Sequence, residues 1–140
     1  MTVYFDTSAL VKLYVREVGS RRVRDWMGRA TMAASSRGAY PEARAAFARR
    51  HREGGLSVAG LRRAVIDLDR DMGSFVTVEL AHSVARRAGE LAERHALRGF
   101  DAIHLASALE LGHLLGEGPT FLAFDERLVR AAAAEELRVG

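Results

Sequence analysis

Asp6, Glu42, Asp101 and Asp125 are the residues of this sequence best equipped for chemistry. Asp6 directly follows the apolar run Val3-Tyr4-Phe5, and Asp125 directly follows Thr120-Phe121-Leu122-Ala123-Phe124. Asp101 opens a long apolar stretch, and Glu42 comes just after Pro41 in what reads as the first turn of a helix. Each has a plain structural explanation. The three aspartates could be helix N-caps and Glu42 could answer the helix dipole, each worth about 0.5 to 2 kcal/mol. Together they suggest more, because a parallel sheet brings strand ends and helix starts to one rim. Carboxylates crowded there repel one another unless protons or a cation compensate. Magnesium suits such a place, since it takes oxygen ligands and keeps several waters, and manganese accepts the same set. One ion held this way, or two about 3.5 to 4 Å apart sharing the tasks, would acidify a water, orient it for in-line attack on a phosphodiester and steady the leaving oxygen. Hydrolysis of a nucleic acid is the chemistry these acids imply.

The chain offers few other routes. It has 140 residues and no cysteine, so disulfides and thiolate zinc sites are excluded, and any metal must be held by oxygen or imidazole. Hydrophobic residues make up 49% and charged residues 28%, the balance of a soluble globular domain, and the length suits a single domain over residues 1–140. The start, Met1-Thr2-Val3-Tyr4-Phe5-Asp6, lacks the basic and apolar segments of a signal peptide, and no stretch is long enough for a membrane span. A cytoplasmic location away from membranes is expected. Basic residues exceed acidic ones by three, 21 against 18, and all but Lys12 are arginine, which fits a phosphate-rich partner as well as a solvated surface.

The elements that must position the acids can be read from periodicity. Val3–Phe5 reads as a strand, followed by a helix over Ser8–Tyr14 and another over Ser20–Met27. Thr31–Ala34 reads as a second strand. Ser35-Ser36 reads as the start of an alanine-rich helix that tolerates Pro41 in its first turn and runs to about Arg52. Gly54-Gly55 breaks it, and Ser57 opens a partner helix with Val58, Leu61, Val65 and Leu68 at helical spacing. Phe75–Val78 reads as a strand and Glu79–His95 as a helix with Leu80, Val84, Ala88 and Leu91 on one face, closed by Gly99. Asp101–Leu115 is expected to be helical, Thr120–Phe124 a strand, and the segment after Asp125 a helix to about Glu136, with Leu137–Val139 as a last edge strand. Short strands alternating with longer helices, without hairpin signatures, predict an α/β fold with a mostly parallel sheet covered on both faces. In such sheets, ligands bind beyond the carboxyl ends of the strands.

Four segments resemble the acidic motifs of the PIN-domain family: Asp6-Thr7-Ser8-Ala9-Leu10-Val11-Lys12-Leu13-Tyr14, Tyr40-Pro41-Glu42, Phe100-Asp101-Ala102-Ile103-His104-Leu105-Ala106-Ser107-Ala108-Leu109 and Phe124-Asp125-Glu126-Arg127-Leu128. Their order and spacing are most similar to those of VapC-type toxins of bacterial toxin–antitoxin pairs. The resemblance implies a three-layer α/β/α sandwich and endoribonuclease activity dependent on Mg2+ or Mn2+. It also implies a small VapB-type antitoxin as partner, and a homodimer. It carries over Asp6, Glu42, Asp101 and Asp125 as metal-binding catalytic acids, with Thr7 and Ser8 as supporting hydroxyls. One departure is Ala123, where many relatives have a threonine two residues before the last aspartate, so that a hydroxyl near Asp125 is missing.

Other residues invite roles that their surroundings argue against. His104, on a largely apolar helix, reads as a packed, hydrogen-bonded histidine, and His51, His82, His95 and His113 share no metal spacing. Arg44, Arg49, Arg50 and Arg52 could steer RNA phosphates toward the acids or form a solvated helix end, while Trp26 and Tyr14 read as core or interface residues. A dehalogenase-like phosphatase needs an acid where Ser8 stands. A receiver domain needs a lysine late in the chain, and the sole lysine is Lys12. The alternative reading is a PIN-like fold that binds RNA or a protein partner without cutting.

Overall fold

The computed structural model describes residues 1–140. The elements in chain order are β1 (Thr2–Phe5), α1 (Thr7–Lys12), α2 (Ser20–Arg29), β2 (Met32–Ser36), α3 (Ala39–Arg52), α4 (Val58–Met72), β3 (Val76–Val78), α5 (His82–His95), α6 (Gly99–Leu115), β4 (Thr120–Leu122), α7 (Glu126–Ala134) and β5 (Arg138–Val139). The five strands form one sheet in the order β3-β2-β1-β4-β5, and every pairing is parallel. Helices cover both faces, so the expected three-layer α/β architecture holds. No helix is long and apolar enough to cross a membrane.

Alternation along β1 sorts the core into two layers. Val3 and Phe5 pack with Leu10, Val23, Phe47 and Leu68 under α1 to α4, joined by Leu122. Tyr4 points the other way, into the layer of Val84, Leu91, Leu105 and Leu128 from α5, α6 and α7, joined by Phe121. In register, Tyr4 lies beside Phe121 and Phe5 beside Leu122, and the rings of Tyr4 and Phe121 stack with centroids 5.5 Å apart. Fully burying a side chain of this size is worth about 1.5 to 3 kcal/mol, so these central strands are strongly fixed in register. Helix α6 is apolar around most of its circumference, with Ala102, Leu105, Ala108 and Leu111 buried, as befits a helix packed between the sheet and α5.

The strand order has a functional consequence. From β1 the chain builds outward through β2 and β3, then returns to the other side of β1 with β4. The crevice between the carboxyl ends of β1 and β4 is therefore the point where the winding reverses, the usual ligand position in open α/β sheets.

Three expected boundaries are corrected. Ser35 and Ser36 belong to β2, where they pair with Thr77 and Val78, and Ser35 Oγ donates to the Phe5 carbonyl at 2.7 Å. The helix begins only at Ala39, with Pro41 in its first turn. Glu79 and Leu80 precede α5: Glu79 pairs with Arg37 across the surface, and Leu80 is exposed. Gly99 does not end a helix but opens α6, and α5 stops at Ala96, whose φ of 52° is left-handed. Asp101 thus sits inside the first turn of α6 and is not its N-cap, a place held by Arg98.

Candidate active site

Asp6 is set by the end of β1. Its backbone N–H is still tied to the sheet, donating to the Leu122 carbonyl at 3.1 Å, and its side chain then starts α1. Oδ1 accepts from the Ala9 amide at 2.9 Å and from Ser8 Oγ at 2.7 Å, while no protein donor reaches Oδ2. Asp125 does the same after β4, with Oδ1 accepting from the Leu128 amide at 3.0 Å. For both residues the capping role is real, and it leaves one carboxylate oxygen of each free for other work.

Glu42 and Asp101 arrive on helices. Glu42 is in the first turn of α3, and Asp101 in the first turn of α6. The two helix starts are drawn together by a close approach at Gly38, where a Cβ would come within 2.6 Å of the Phe100 ring. All four acids line one cleft of about 480 Å³, together with Thr7, Ser8, Glu17, Arg49, Arg50, Arg98 and His104. The two hydroxyls divide their attention: Ser8 holds Asp6, whereas Thr7 turns away from Asp6 and donates to Glu42 Oε1.

The acids differ in how the protein treats their charge. Asp6 is 4% exposed, and burial pushes its carboxyl up from the ordinary range, with Asp101 adding to the rise, against the pull of His104 and the bonds from Ala9 and Ser8. Glu42 moves the other way. Burial would raise it, but the neighbouring His104 and the hydrogen bond from Thr7 outweigh that and hold its carboxyl below the ordinary range. Arg98 Nη2 stands 3.5 Å from Asp101 Oδ2 on the exposed lip.

An oxygen donor set with free lone pairs on Asp6 and Asp125, and a carboxyl destabilised in its charged form, fits a hard divalent cation. No group of three or more acidic or histidine side chains is gathered closely enough in this structure to hold a metal ion by itself. Magnesium does not require one, since it binds through one or two carboxylates and retains water for the remaining positions.

Arginines flank the acids on both sides. Arg49 and Arg50 stand on the α3 side, with Arg50 also paired to Glu17 at 2.6 Å. On the other side Arg98, Arg127 and Arg130 surround a second hollow that shares Asp101 and Asp125 with the first. Of the arginines read from the sequence, Arg44 lies elsewhere, over the Tyr40 ring. Arg98 and Arg130 were not singled out by sequence, and Arg127 only as part of the motif around Asp125. Their only signal is proximity, Arg98 three residues before Asp101, and Arg127 and Arg130 shortly after Asp125.

His104 is buried and hydrogen-bonded, in keeping with its apolar helix, but it joins the core to the site: Tyr4 Oη in the core lies 2.9 Å from Nδ1, and Thr7 Oγ1 in the cleft 2.9 Å from Nε2. The other histidines stay apart from it. His95, for example, bonds Glu135 at 2.8 Å, joining α5 to the end of α7.

Comparison with known proteins gives concordant results. The PIN domain family model matches residues 3–134. Over 137 residues the chain is 43% identical to "Ribonuclease VapC45" and to "Ribonuclease VapC49", both of Mycobacterium tuberculosis strains, a match covering 98% of this chain and 93% of each of those proteins. Among solved structures it resembles Mycobacterium tuberculosis VapC20, described as a sarcin-ricin loop cleaving toxin, with a TM-score of 0.67 and 18% identity over 92% of this chain and 94% of that one. The FitAcB structure from Neisseria gonorrhoeae is similar at a TM-score of 0.65 and 16% identity, covering 98% of this chain and 95% of that one. At such identities the structural likeness speaks to the fold alone.

Proposed function

The chain belongs to the PIN domain family, and from that premise we propose that it is a single-domain, metal-dependent endoribonuclease, the toxin of a toxin–antitoxin pair. The observation that carries this reading is the cleft. Acids from four separate segments, Asp6, Glu42, Asp101 and Asp125, line it at the reversal point of the sheet, between two groups of arginines.

In this reading Asp6, Asp101, Asp125 and Glu42 hold Mg2+ or Mn2+. When bound, the ion supplies a Lewis acid that makes an attacking water more acidic and offsets charge on the phosphate. The rest falls to the chain itself. Ser8 and the Ala9 amide orient Asp6 so that its unbonded oxygen faces the cleft. His104 and Thr7 together favour the charged form of Glu42, and the Thr7 hydroxyl aims it. Arg49 and Arg50 on one side, and Arg98, Arg127 and Arg130 on the other, hold backbone phosphates of a strand laid across the acids, which places one scissile bond between them.

The reading includes a cytoplasmic location, a homodimer and a small VapB-type antitoxin. Exposed Val58 and Ile66, next to Leu61 and Val65 on α4, form an apolar strip that a protein partner would cover.

Purified protein with Mg2+ should cut structured RNA internally, chelator should stop it, and Asp6→Asn or Asp101→Asn should abolish it while leaving the far-ultraviolet circular dichroism unchanged. Cleavage persisting in both variants would mean that a contaminant is at work. A second reading, an RNA- or partner-binding module that does not cut, draws on the missing hydroxyl at Ala123. RNA binding without cleavage by the wild type would favour it.

A further inference from the structure

We infer that His104 is a positioning residue for Glu42, the link in a one-directional chain of hydrogen bonds that runs from the sheet to the cleft. The inference deepens the proposed nuclease reading and rests on Glu42 having a role there.

Four groups form the chain. Tyr4, fully buried on β1, places its hydroxyl 2.9 Å from His104 Nδ1. His104, 1% exposed on α6, places Nε2 2.9 Å from Thr7 Oγ1. Thr7 Oγ1 contacts Glu42 Oε1, which is itself 3.5 Å from Nε2. The bonds join β1, α6, α1 and α3, so the side chain of Glu42 is referenced to the centre of the sheet and not to its own helix alone.

Proton accounting gives the chain its direction. The Thr7 hydroxyl has a single proton and donates it to Glu42 Oε1. Thr7 oxygen then accepts from His104, which requires the proton on Nε2. In the neutral imidazole that this proposal assigns, Nε2–H leaves a bare lone pair at Nδ1, which the Tyr4 hydroxyl fills, whereas an imidazolium would donate from both nitrogens. Each donor is used once, and the Thr7–Glu42 bond sets every orientation behind it.

A histidine that merely fills space would need only the Tyr4 bond. Its second nitrogen reaches the cleft wall because His104 stands one turn beyond Asp101 on α6, so one helix presents a carboxylate to the cleft and an imidazole to the wall behind Glu42. Both ring nitrogens are engaged, which leaves neither free as a ligand or as a base.

The test has two arms. The first reads the tautomer by 15N–1H correlation of imidazole-labelled, metal-free protein, with His104→Gln assigning the resonance among the five histidines. His104 should show protonated Nε2 and bare Nδ1, and Tyr4→Phe should shift Nδ1 in a folded protein. The second arm titrates Mn2+ by electron paramagnetic resonance. His104→Ala should weaken binding about tenfold, the usual order for a group that orients a ligand. His104→Gln, whose amide can still donate to Thr7, should recover most of the loss. In a Glu42→Gln background the same alanine change should have little effect. A proton on Nδ1, or an alanine effect undiminished in the Glu42→Gln background, overturns the proposal. Failure of the wild type to bind Mn2+ at all counts against the metal reading, and the tautomer then decides the His104 chain by itself.

Discussion

Asp6 should be a liability to the metal-free protein, and the size of the effect can be separated into cap and charge. Asp6→Asn keeps an oxygen for the Ala9 amide and removes the buried charge, while Asp6→Ala removes both. Asparagine caps as well as aspartate, and alanine at such a position costs about 0.5 to 2 kcal/mol. Unfolding entropy of about 2.1 cal/mol/K per residue gives about 0.3 kcal/mol/K for 140 residues. The alanine variant should therefore melt about 2 to 7 °C below the asparagine variant. Because burial raises the folded pKa of Asp6 above its unfolded value, the stability tied to its protonation is complete below the ordinary aspartate range. It is lost as pH rises through the folded pKa. In chelator at neutral pH, wild type should accordingly melt below Asp6→Asn, and the gap should close on acidification. Magnesium at about a hundred times its Kd should reverse the order, adding about 2.7 kcal/mol, or about 9 °C, to the wild type and little to either variant. Differential scanning calorimetry in chelator and in Mg2+ measures all of this. A metal-free wild type at least as stable as Asp6→Asn at neutral pH would refute the reasoning, as would equal Mg2+ shifts in all three proteins.

Two further expectations concern the surroundings of the site. Arg98→Ala with Arg127→Ala, made in the non-cutting Asp6→Asn background, should weaken RNA binding and flatten the dependence of log affinity on log salt by about 0.7 per lost phosphate contact, as fluorescence anisotropy across salt concentrations would show. An unchanged slope would remove these arginines from the RNA path. Glu135 is held below the ordinary glutamate range by His95 first and then Arg94, so its contribution is present above the unfolded value and lost as pH falls through the folded one. Glu135→Gln should cost about 1 kcal/mol at neutral pH and nothing in strong acid, and a cost independent of pH in thermal melts would contradict that assignment.

The parts of this protein that were legible in the sequence are those set by short-range physics. Val3–Phe5 and the run before Asp125 announce buried parallel strands because nearly every residue is apolar, and Ser57 announces a helix because its hydroxyl caps the Gly60 amide. The misreadings come from residues with two uses. Serine is a favoured cap, yet Ser35 serves a strand by donating to Phe5. Glutamate and leucine favour helices, yet Glu79 and Leu80 span the gap before α5. Nothing local marks Ala96 as the left-handed stop that frees Gly99 to begin α6. The acids were readable as candidates because their places at strand and helix ends put them on one rim. The wiring behind them was not, since the contacts of His104 with Tyr4 and Thr7 span 100 and 97 residues and leave no periodic trace.

The central claim is that carboxylates from distant segments share at least one divalent cation in the cleft. Anomalous scattering from a crystal grown with Mn2+ tests it most directly. The account expects a peak within coordination distance of Asp6 and at least one of Asp101, Asp125 and Glu42, absent in an Asp6→Asn crystal. A cleft without a peak at saturating Mn2+, in protein that still cuts RNA, would contradict it.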